Sequence, residues 1–182
     1  MRDIRADRYD KTKPYVLFHS AKKQHGHMSN WYMVSFAVCG VTYNCAEQYM
    51  MSKKAETFNA PDIVDEIMAS KEPQEQKRLG RQVSNFDPAV WDEVAFEFVI
   101  EANLAKYRQN EDLKEQLLAT GPAIIAEASP TDPIWGIGLG REAPQALDYT
   151  TWRGTNKLGQ VLMEVRFRLL AERCNAEMHG EA

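Results

Sequence analysis

Glu47 and Lys54 carry opposite charges seven positions apart in a stretch with helical period. At 3.6 residues per turn that spacing leaves them about 20° apart on one face. Met50, Met51 and Phe58 fall close to the same face. A carboxylate and an ammonium among apolar side chains suit a pocket better than open water. The bland reading is the commoner one: Asn44 and Glu47 have the spacing of a capping box, which would leave Lys54 solvated. Spacing alone leaves both open.

A second group lies in Glu127-Ala128-Ser129-Pro130-Thr131-Asp132-Pro133-Ile134-Trp135, where an apolar run enters a proline-rich corner. Loops held by a rigid scaffold often carry function, and a tryptophan offers a flat face to a base. Against this stand an Asx-turn at Asp132 and a core Trp135. The third group is Thr151-Trp152-Arg153-Gly154-Thr155-Asn156-Lys157-Leu158-Gly159, at the start of the last helical stretch. Unfilled amides and the positive end of a helix there would hold a phosphate, with Arg153, Asn156 and Lys157 nearby, unless the segment is an ordinary cap. Gly159 inside the first turn costs about 1 kcal/mol relative to alanine, which points to a close approach. Lys77, Arg78 and Arg81 form a basic group whose commonest meaning is a solvated face. His19, His25 and His27 show no metal-ligand pattern and receive no role.

Gly136-Ile137-Gly138-Leu139-Gly140 lacks the strand-to-helix setting of a dinucleotide fingerprint. Its glycines fit close approach of backbone to a ligand or to a neighbouring element. No nucleophile elbow, P-loop or His-Glu-x-x-His occurs, so serine hydrolase, nucleotide kinase and zinc protease lack support. Carboxylates, tryptophans and cations near helix ends remain. That inventory suits hydrolysis through an oxocarbenium-like transition state, and it equally suits a nucleotide-binding module without activity.

The elements that must position these residues follow from pattern. Tyr15 to Phe18, Trp31 to Phe36 and Val41 to Tyr43 read as short strands. From Asn44 the period is helical, with a first helix over Ala46 to Phe58 and short ones at Asp62 to Ser70 and Pro73 to Val83. Asp87-Pro88 opens a long helix to Gln109, with Trp91, Val94, Phe98 and Ala102 on one face. A short helix over Asp112 to Ala119 stops at Gly121. Ala123 to Ala128 reads as a buried strand and Ser129 to Tyr149 as loop. The last helix starts near Thr155, with Leu158, Val161, Leu162, Val165 and Leu169 on one stripe. The fold expected is mainly α with a small β-sheet, compact and of one domain over residues 14–171, with loose termini at 1–13 and 172–182.

Composition sets the outer bounds. At 182 residues and 44% hydrophobic, the chain buries a core without disulfides or metal. Its net charge of −4 gives no bulk footprint for nucleic acid, although a strand end or one modified nucleotide needs only a local pocket. Cys39, Cys45 and Cys174 lack the paired spacing of a zinc site, and a reducing, cytoplasmic setting fits them. No stretch approaches the roughly 20 apolar residues of a membrane span. The oligomeric state is not readable.

Taken in order, these segments resemble the YbiA-like (NADAR) family from about Phe18 to Leu170. The resemblance rests on Ser29-Asn30-Trp31-Tyr32, Ala46-Glu47-Gln48-Tyr49-Met50 with Lys54-Ala55, and Lys77-Arg78-Leu79-Gly80-Arg81. It continues with Phe86-Asp87 and Trp91, Lys106 to Asn110, Leu117 to Gly121, Glu127-Ala128-Ser129 with Asp132, Trp135 to Leu139, and Trp152 to Gly159. It implies a compact, mainly helical fold and N-glycosidase activity without a metal or other cofactor. Two substrate classes come with it: phosphoribosylamino-pyrimidine intermediates of riboflavin synthesis, and ADP-ribosylated guanine in a nucleoside or nucleic acid. Under this reading Glu47 stabilises the sugar cation and activates water, Asp132 is a second carboxylate, and Lys54 either pairs with charge or forms an imine with the opened sugar. Asn30, Trp31, Arg81, Trp91, Ser129, Trp135, Gly136, Trp152, Arg153, Asn156 and Gly159 would contact substrate. The chain departs from the family at Trp31 and Tyr107, where phenylalanine is usual, and in a longer stretch over Ala21 to Met28.

Overall fold

The computed structural model describes residues 9–10 and 12–180. The expectation of loose ends therefore lies outside the described residues at 1–8, 11, 181 and 182. Among the described residues the chain is mainly helical, with small two-stranded sheets. It falls into two compact units, one made of the two ends of the chain, up to Ser29 and from Glu115 onward, the other of Asn30–Lys114.

In the unit formed by the chain ends, strand β1 (Tyr15–Phe18) pairs in parallel with β4 (Ile124–Glu127), from Tyr15 opposite Ile124 to Phe18 opposite Glu127. Ile124, Ile125 and Ala126 are all buried, as the strand of a covered parallel pair must be. Helix α6 (Lys157–His179) packs on β4. Its expected stripe, Leu158, Val161, Leu162, Val165 and Leu169, is at most 1% exposed. The helix reaches His179, well past Glu172, which corrects the expected loose tail. The apolar stripe ends at Leu169, but good helix formers such as Ala171, Glu172 and Arg173 carry the backbone on. An ion pair from Arg173 to Glu115 helps, and Gly180 stops the helix in the left-handed region at φ 69°. The N-terminal arm is also shorter than expected. Tyr9 is 6% exposed, with its ring 5.2 Å from that of Tyr149 and 5.4 Å from that of Trp152. The stretch from Ser129 to Tyr149 is loop with a 3₁₀ turn at Pro144–Leu147, and a second such turn follows at Tyr149–Thr151.

In the other unit, β2 (Phe36–Val38) and β3 (Val41–Tyr43) form a hairpin with Phe36 opposite Tyr43. Cys39 and Gly40 turn it with φ of 51° and 80°, the paired left-handed geometry of a two-residue hairpin loop. That turn fixes the register. The strand expected at Trp31 to Phe36 is therefore absent, because the chain enters helix α1 (Ala46–Thr57) right after Tyr43 and leaves 31–35 without a paired run opposite them. Helices α2 (Pro61–Ala69), α3 (Pro73–Gly80) and α4 (Pro88–Arg108) pack around α1. Asp87 caps α4 as expected, its carboxylate accepting from the Ala89 N–H at 2.8 Å. Helix α5 (Glu111–Leu118) follows.

Helix α1 is buried on nearly all sides, including Glu47, Gln48, Tyr49 and Ser52. A helix enclosed in this way need not be apolar on one face only. The polar side chains inside it find partners: Gln48 Nε2 donates to the carbonyls of Ile67 and Ser70, and Ser52 Oγ to that of Tyr49.

Candidate active site

The cap of α1 decides how Glu47 is to be read. The N-cap is Cys45, and Asn44 instead spends its side chain on the Ser70 carbonyl at 3.1 Å and on Gln76 Nε2 at 3.0 Å. Gln48 Oε1 takes the Asn44 N–H at 2.8 Å. The Asn44–Glu47 capping box therefore does not form, and the reciprocal role falls to the residue after Glu47. The Glu47 backbone N–H donates to the Asn30 carbonyl at 2.9 Å, and its side chain, 5% exposed, sits in the first turn, where the helix dipole favours a carboxylate.

Two turns later Lys54 is half-buried, its Nζ 3.9 Å from the centre of the Phe86 ring. Burial, and then the Arg81 guanidinium, hold its ammonium below the usual lysine range, while the Glu47 carboxylate pulls the other way. The three charges thus feel one another. Arg81 is delivered by α3, whose last residue, Gly80, lies so close to α1 that a Cβ there would meet Met51 Sδ at 2.3 Å. Beside Arg81 opens a cleft of about 570 Å³ lined by Trp31, Glu72, Gln74, Glu75, Lys77, Arg78 and Arg81. Trp31 is 37% exposed, and Lys77 Nζ lies 5.8 Å from its ring centre.

Asn30, Trp31, Glu47, Lys54 and Arg81 therefore gather in the Asn30–Lys114 unit. Trp91 belongs to the same unit but stacks on Phe98 along α4, ring centres 6.1 Å apart. Of the face expected from Trp91, Val94, Phe98 and Ala102, Ala102 is buried and the other three are half-buried. The buried stripe of α4 runs through Ala95, Val99, Ala102, Asn103 and Lys106, and its two polar members hid it from a reading based on apolar spacing.

Those two are also the residues that sequence reasoning left without a role. Lys106 is fully buried, with Nζ 5.7 Å from the Tyr32 ring centre and 5.2 Å from that of Tyr107. Burial pushes its ammonium down to about 7, against a smaller opposing pull from the Cys45 sulfur. Asn103 donates to Asn30 Oδ1 at 3.3 Å and to the Val99 carbonyl at 2.9 Å, while its own Oδ1 accepts nothing among the described residues. Their helical spacing from Val99 was the signal available in the sequence.

The candidates in the unit of the chain ends fare differently. Asp132 Oδ1 accepts from the N–H groups of Ile134 at 3.0 Å and Trp135 at 2.8 Å, so the Asx-turn is real. Trp135 is half-buried next to it, and Ser129 is buried at 5% exposure. Trp152 is a core residue: it is 4% exposed, packs against Tyr9 and Tyr15, and donates Nε1 to the Ala146 carbonyl at 3.0 Å. Its expected substrate contact is corrected by this burial.

The phosphate site expected at the start of α6 is also corrected. The N–H groups of Thr155, Asn156, Lys157 and Leu158 donate to the carbonyls of Pro133, Gly136, Ile134 and Trp135 at 2.9 to 3.2 Å. A phosphate would have to displace them. Asn156, in the left-handed region at φ 54°, joins its Oδ1 to the Glu127 N–H and its Nδ2 to the Ile125 carbonyl and the Tyr9 hydroxyl. It ties strand to helix, and both Nδ2 hydrogens are spent in doing so. Gly159 earns its place similarly, since a Cβ would lie 2.1 Å from the Ile125 carbonyl oxygen. Gly138 admits the backbone of Arg153 and Gly154, and a Cβ on Gly136 would meet the Asp132 and Glu127 carbonyls and the Ser129 side chain, the neighbouring-element role in both cases; Arg153 stands exposed beside Gly138.

No three His, Cys, Asp or Glu side chains gather as a metal site among the described residues. A buried carboxylate within electrostatic reach of a lysine can stabilise positive charge on a sugar, and the cleft beside Arg81, with Trp31 and its cations, can hold an anionic, aromatic ligand.

The NADAR domain model matches residues 17–170. The N-glycosidase R617 of Acanthamoeba polyphaga mimivirus is 42% identical over 163 residues, covering 85% of this chain and 96% of that protein. The riboflavin biosynthesis protein VVA0006 of Vibrio vulnificus is 27% identical over 85% of this chain and 38% of its own length. The N-glycosidase YbiA of Escherichia coli is 30% identical over 87% of this chain and 90% of that protein. The solution structure of the E. coli protein YbiA superposes with a TM-score of 0.73 at 29% identity, covering 89% of this chain and 88% of that one.

Proposed function

The chain belongs to the NADAR family, and from that premise we propose that Glu47 is the centre of its catalytic site. The protein is an N-glycosidase, a hydrolase that acts on N-glycosyl compounds. Breaking a ribose C1-to-N bond sends the bonding pair to the departing nitrogen, which takes up a proton, and leaves positive charge on C1 that water then attacks. An anion fixed near C1 lowers that barrier more than it favours the neutral ground state.

Glu47 supplies that anion. The observation that carries the assignment is its near-complete burial at the N-terminus of α1, within electrostatic reach of Lys54. Glu47 orients the water and accepts its proton, with Lys54 as its charge partner. Arg81 faces the anionic part of the substrate, and Trp31 its ring. Asp132 is proposed as the second carboxylate, assisting the leaving group, on the chemistry of paired carboxylates.

The substrate is a small nucleotide-like molecule. Two finer readings are proposed: a phosphoribosylamino-pyrimidine intermediate, favoured by the riboflavin link in the name of the Vibrio relative, or ADP-ribosylated guanine. Three cysteines without disulfides support a reducing, cytoplasmic setting, and no helix among the described residues is long and apolar enough to cross a membrane.

The test is incubation of the protein and its Glu47→Gln variant with each substrate, following base and sugar by mass spectrometry. Wild type releases base from one of them, and the variant loses roughly 100-fold or more in rate with its fold intact. A variant as fast as wild type would remove Glu47 from the mechanism. Tight binding without release by wild type would make the protein a binding module.

A further inference from the structure

Asn103 lies on the buried side of α4, fully out of solvent, where an apolar side chain of similar volume is the ordinary occupant. Its Oδ1 is enclosed and accepts nothing among the described residues, and a buried acceptor left open costs stability. What the side chain does is donate. Nδ2 reaches the Val99 carbonyl at 2.9 Å and Asn30 Oδ1 at 3.3 Å. The first contact settles which way round the Asn103 amide stands, because turning it over would set Oδ1 against a helix carbonyl that cannot turn. The second contact then settles Asn30. Its Oδ1 must face the Asn103 N–H, which leaves its own N–H₂ on the side away from Asn103.

Asn30 is 6% exposed; its Nδ2 donates to nothing among the described residues, yet it is not sealed off as Asn103 Oδ1 is. Its backbone carbonyl takes the Glu47 N–H at 2.9 Å, so the unspent donor belongs to the residue that seats the first turn of α1. Resting on the glycosidase reading above, we propose that Asn103 is a positioning residue, which holds the Asn30 amide as a fixed donor to the ribose hydroxyl beside the C1 served by Glu47. A free carboxamide can present oxygen or nitrogen; Asn103 removes that choice before the substrate arrives, so no reorganisation is needed during the reaction. Hydrogen bonds at the hydroxyl next to the reacting carbon strengthen as charge builds on the sugar. The pair therefore selects ribosyl over 2-deoxyribosyl compounds.

Base release by the full chain tests this, for wild type, Asn103→Leu, Asn30→Ala and the double variant, on the two ribosyl substrates named above and their 2-deoxyribosyl counterparts. The ribosyl to 2-deoxyribosyl ratio of kcat/KM, compared between proteins, cancels the intrinsic reactivity of the two sugars. It should fall about ten-fold in Asn103→Leu, the scale of one neutral hydrogen bond. That variant should melt no lower than wild type, since it deletes the orphaned oxygen. Asn30→Ala should show the same fall, and adding Asn103→Leu to it should change the ratio less than about two-fold. An unchanged ratio in Asn103→Leu, or a further fall of similar size in the double variant, would overturn the proposal. So would a loss of rate that is equal on both sugars and follows a lower melting temperature, which would make Asn103 a packing residue. Calorimetry with the same ligands in a Glu47→Gln background reads the contact without turnover. A ribosyl preference in affinity that Asn103→Leu abolishes, with no base release by wild type, would keep the pair and discard the glycosidase. Base release with a sugar ratio that neither variant alters would do the reverse.

Discussion

A fully buried lysine makes stability depend on pH in a way that can be worked out in advance. Lys106 in the folded protein loses its proton at about 7 because burial disfavours the ammonium. In the unfolded chain it holds the proton to about 10.4. Between these values unfolding takes up a proton, so stability rises with pH, by up to about 1.4 kcal/mol per unit. Below 7 both states are protonated and the penalty is at its full size, roughly 4 to 5 kcal/mol; by pH 9 it has fallen to about 2.

Lys106→Met removes the titration while filling similar volume. Its stability relative to wild type should therefore drop by about 2 kcal/mol between pH 7 and pH 9. Urea denaturation of both proteins at several pH values gives this difference, in which the remaining titrating groups cancel. A stability gap that stays constant to within about 0.5 kcal/mol would mean that Lys106 keeps its charge in the folded state, and the assignment of burial as the dominant influence would be wrong. If the gap does close, the protein carries a neutral amine near pH 7 in the same unit as Glu47, and activity profiles must allow for it.

Three further variants separate structure from chemistry. Gly159→Ala places a Cβ 2.1 Å from the Ile125 carbonyl oxygen, so thermal melting should show a loss of about 2 kcal/mol or more despite alanine's better helix propensity; an unchanged melting temperature would contradict the close approach of α6 to β4. Trp152→Phe deletes the indole N–H bond to Ala146 and should cost about 1 to 3 kcal/mol while leaving KM alone. A raised KM in a protein of unaltered stability would restore Trp152 to the substrate site. Asp132→Asn keeps an oxygen for the Asx-turn and removes only the charge, so a ten-fold or greater fall in kcat, with melting unchanged, is what a second catalytic carboxylate predicts; full activity would reduce Asp132 to its turn.

The helices of this protein were legible because their signals are local. Asp87-Pro88 opens α4 through a cap that needs only the next two residues, and the stripe from Leu158 to Leu169 declares the buried face of α6. The hairpin register depended on Cys39 and Gly40 adopting left-handed φ together, which a cysteine does not announce, and the strand was accordingly expected several residues too early. Residue types likewise singled out Glu47 and Lys54 but not what surrounds them. Whether Glu47 capped its helix was decided by Ser70 and Gln76, which draw the Asn44 side chain away and are more than twenty residues distant. The start of α6 looked like a phosphate site because helix N-termini present N–H groups; the carbonyls of 133–136 fill them, and no local pattern reports that a loop will return there. Lys106 was hidden for the same reason, since a lysine is ordinarily solvated and only the packing of α4 removes it from water. Sequence determined where helices begin, which faces are apolar and which side chains bear charge, because these follow from bonds and contacts a few residues long. Tertiary structure decided which polar groups are already satisfied and which remain for a ligand, because that depends on partners brought together from far along the chain.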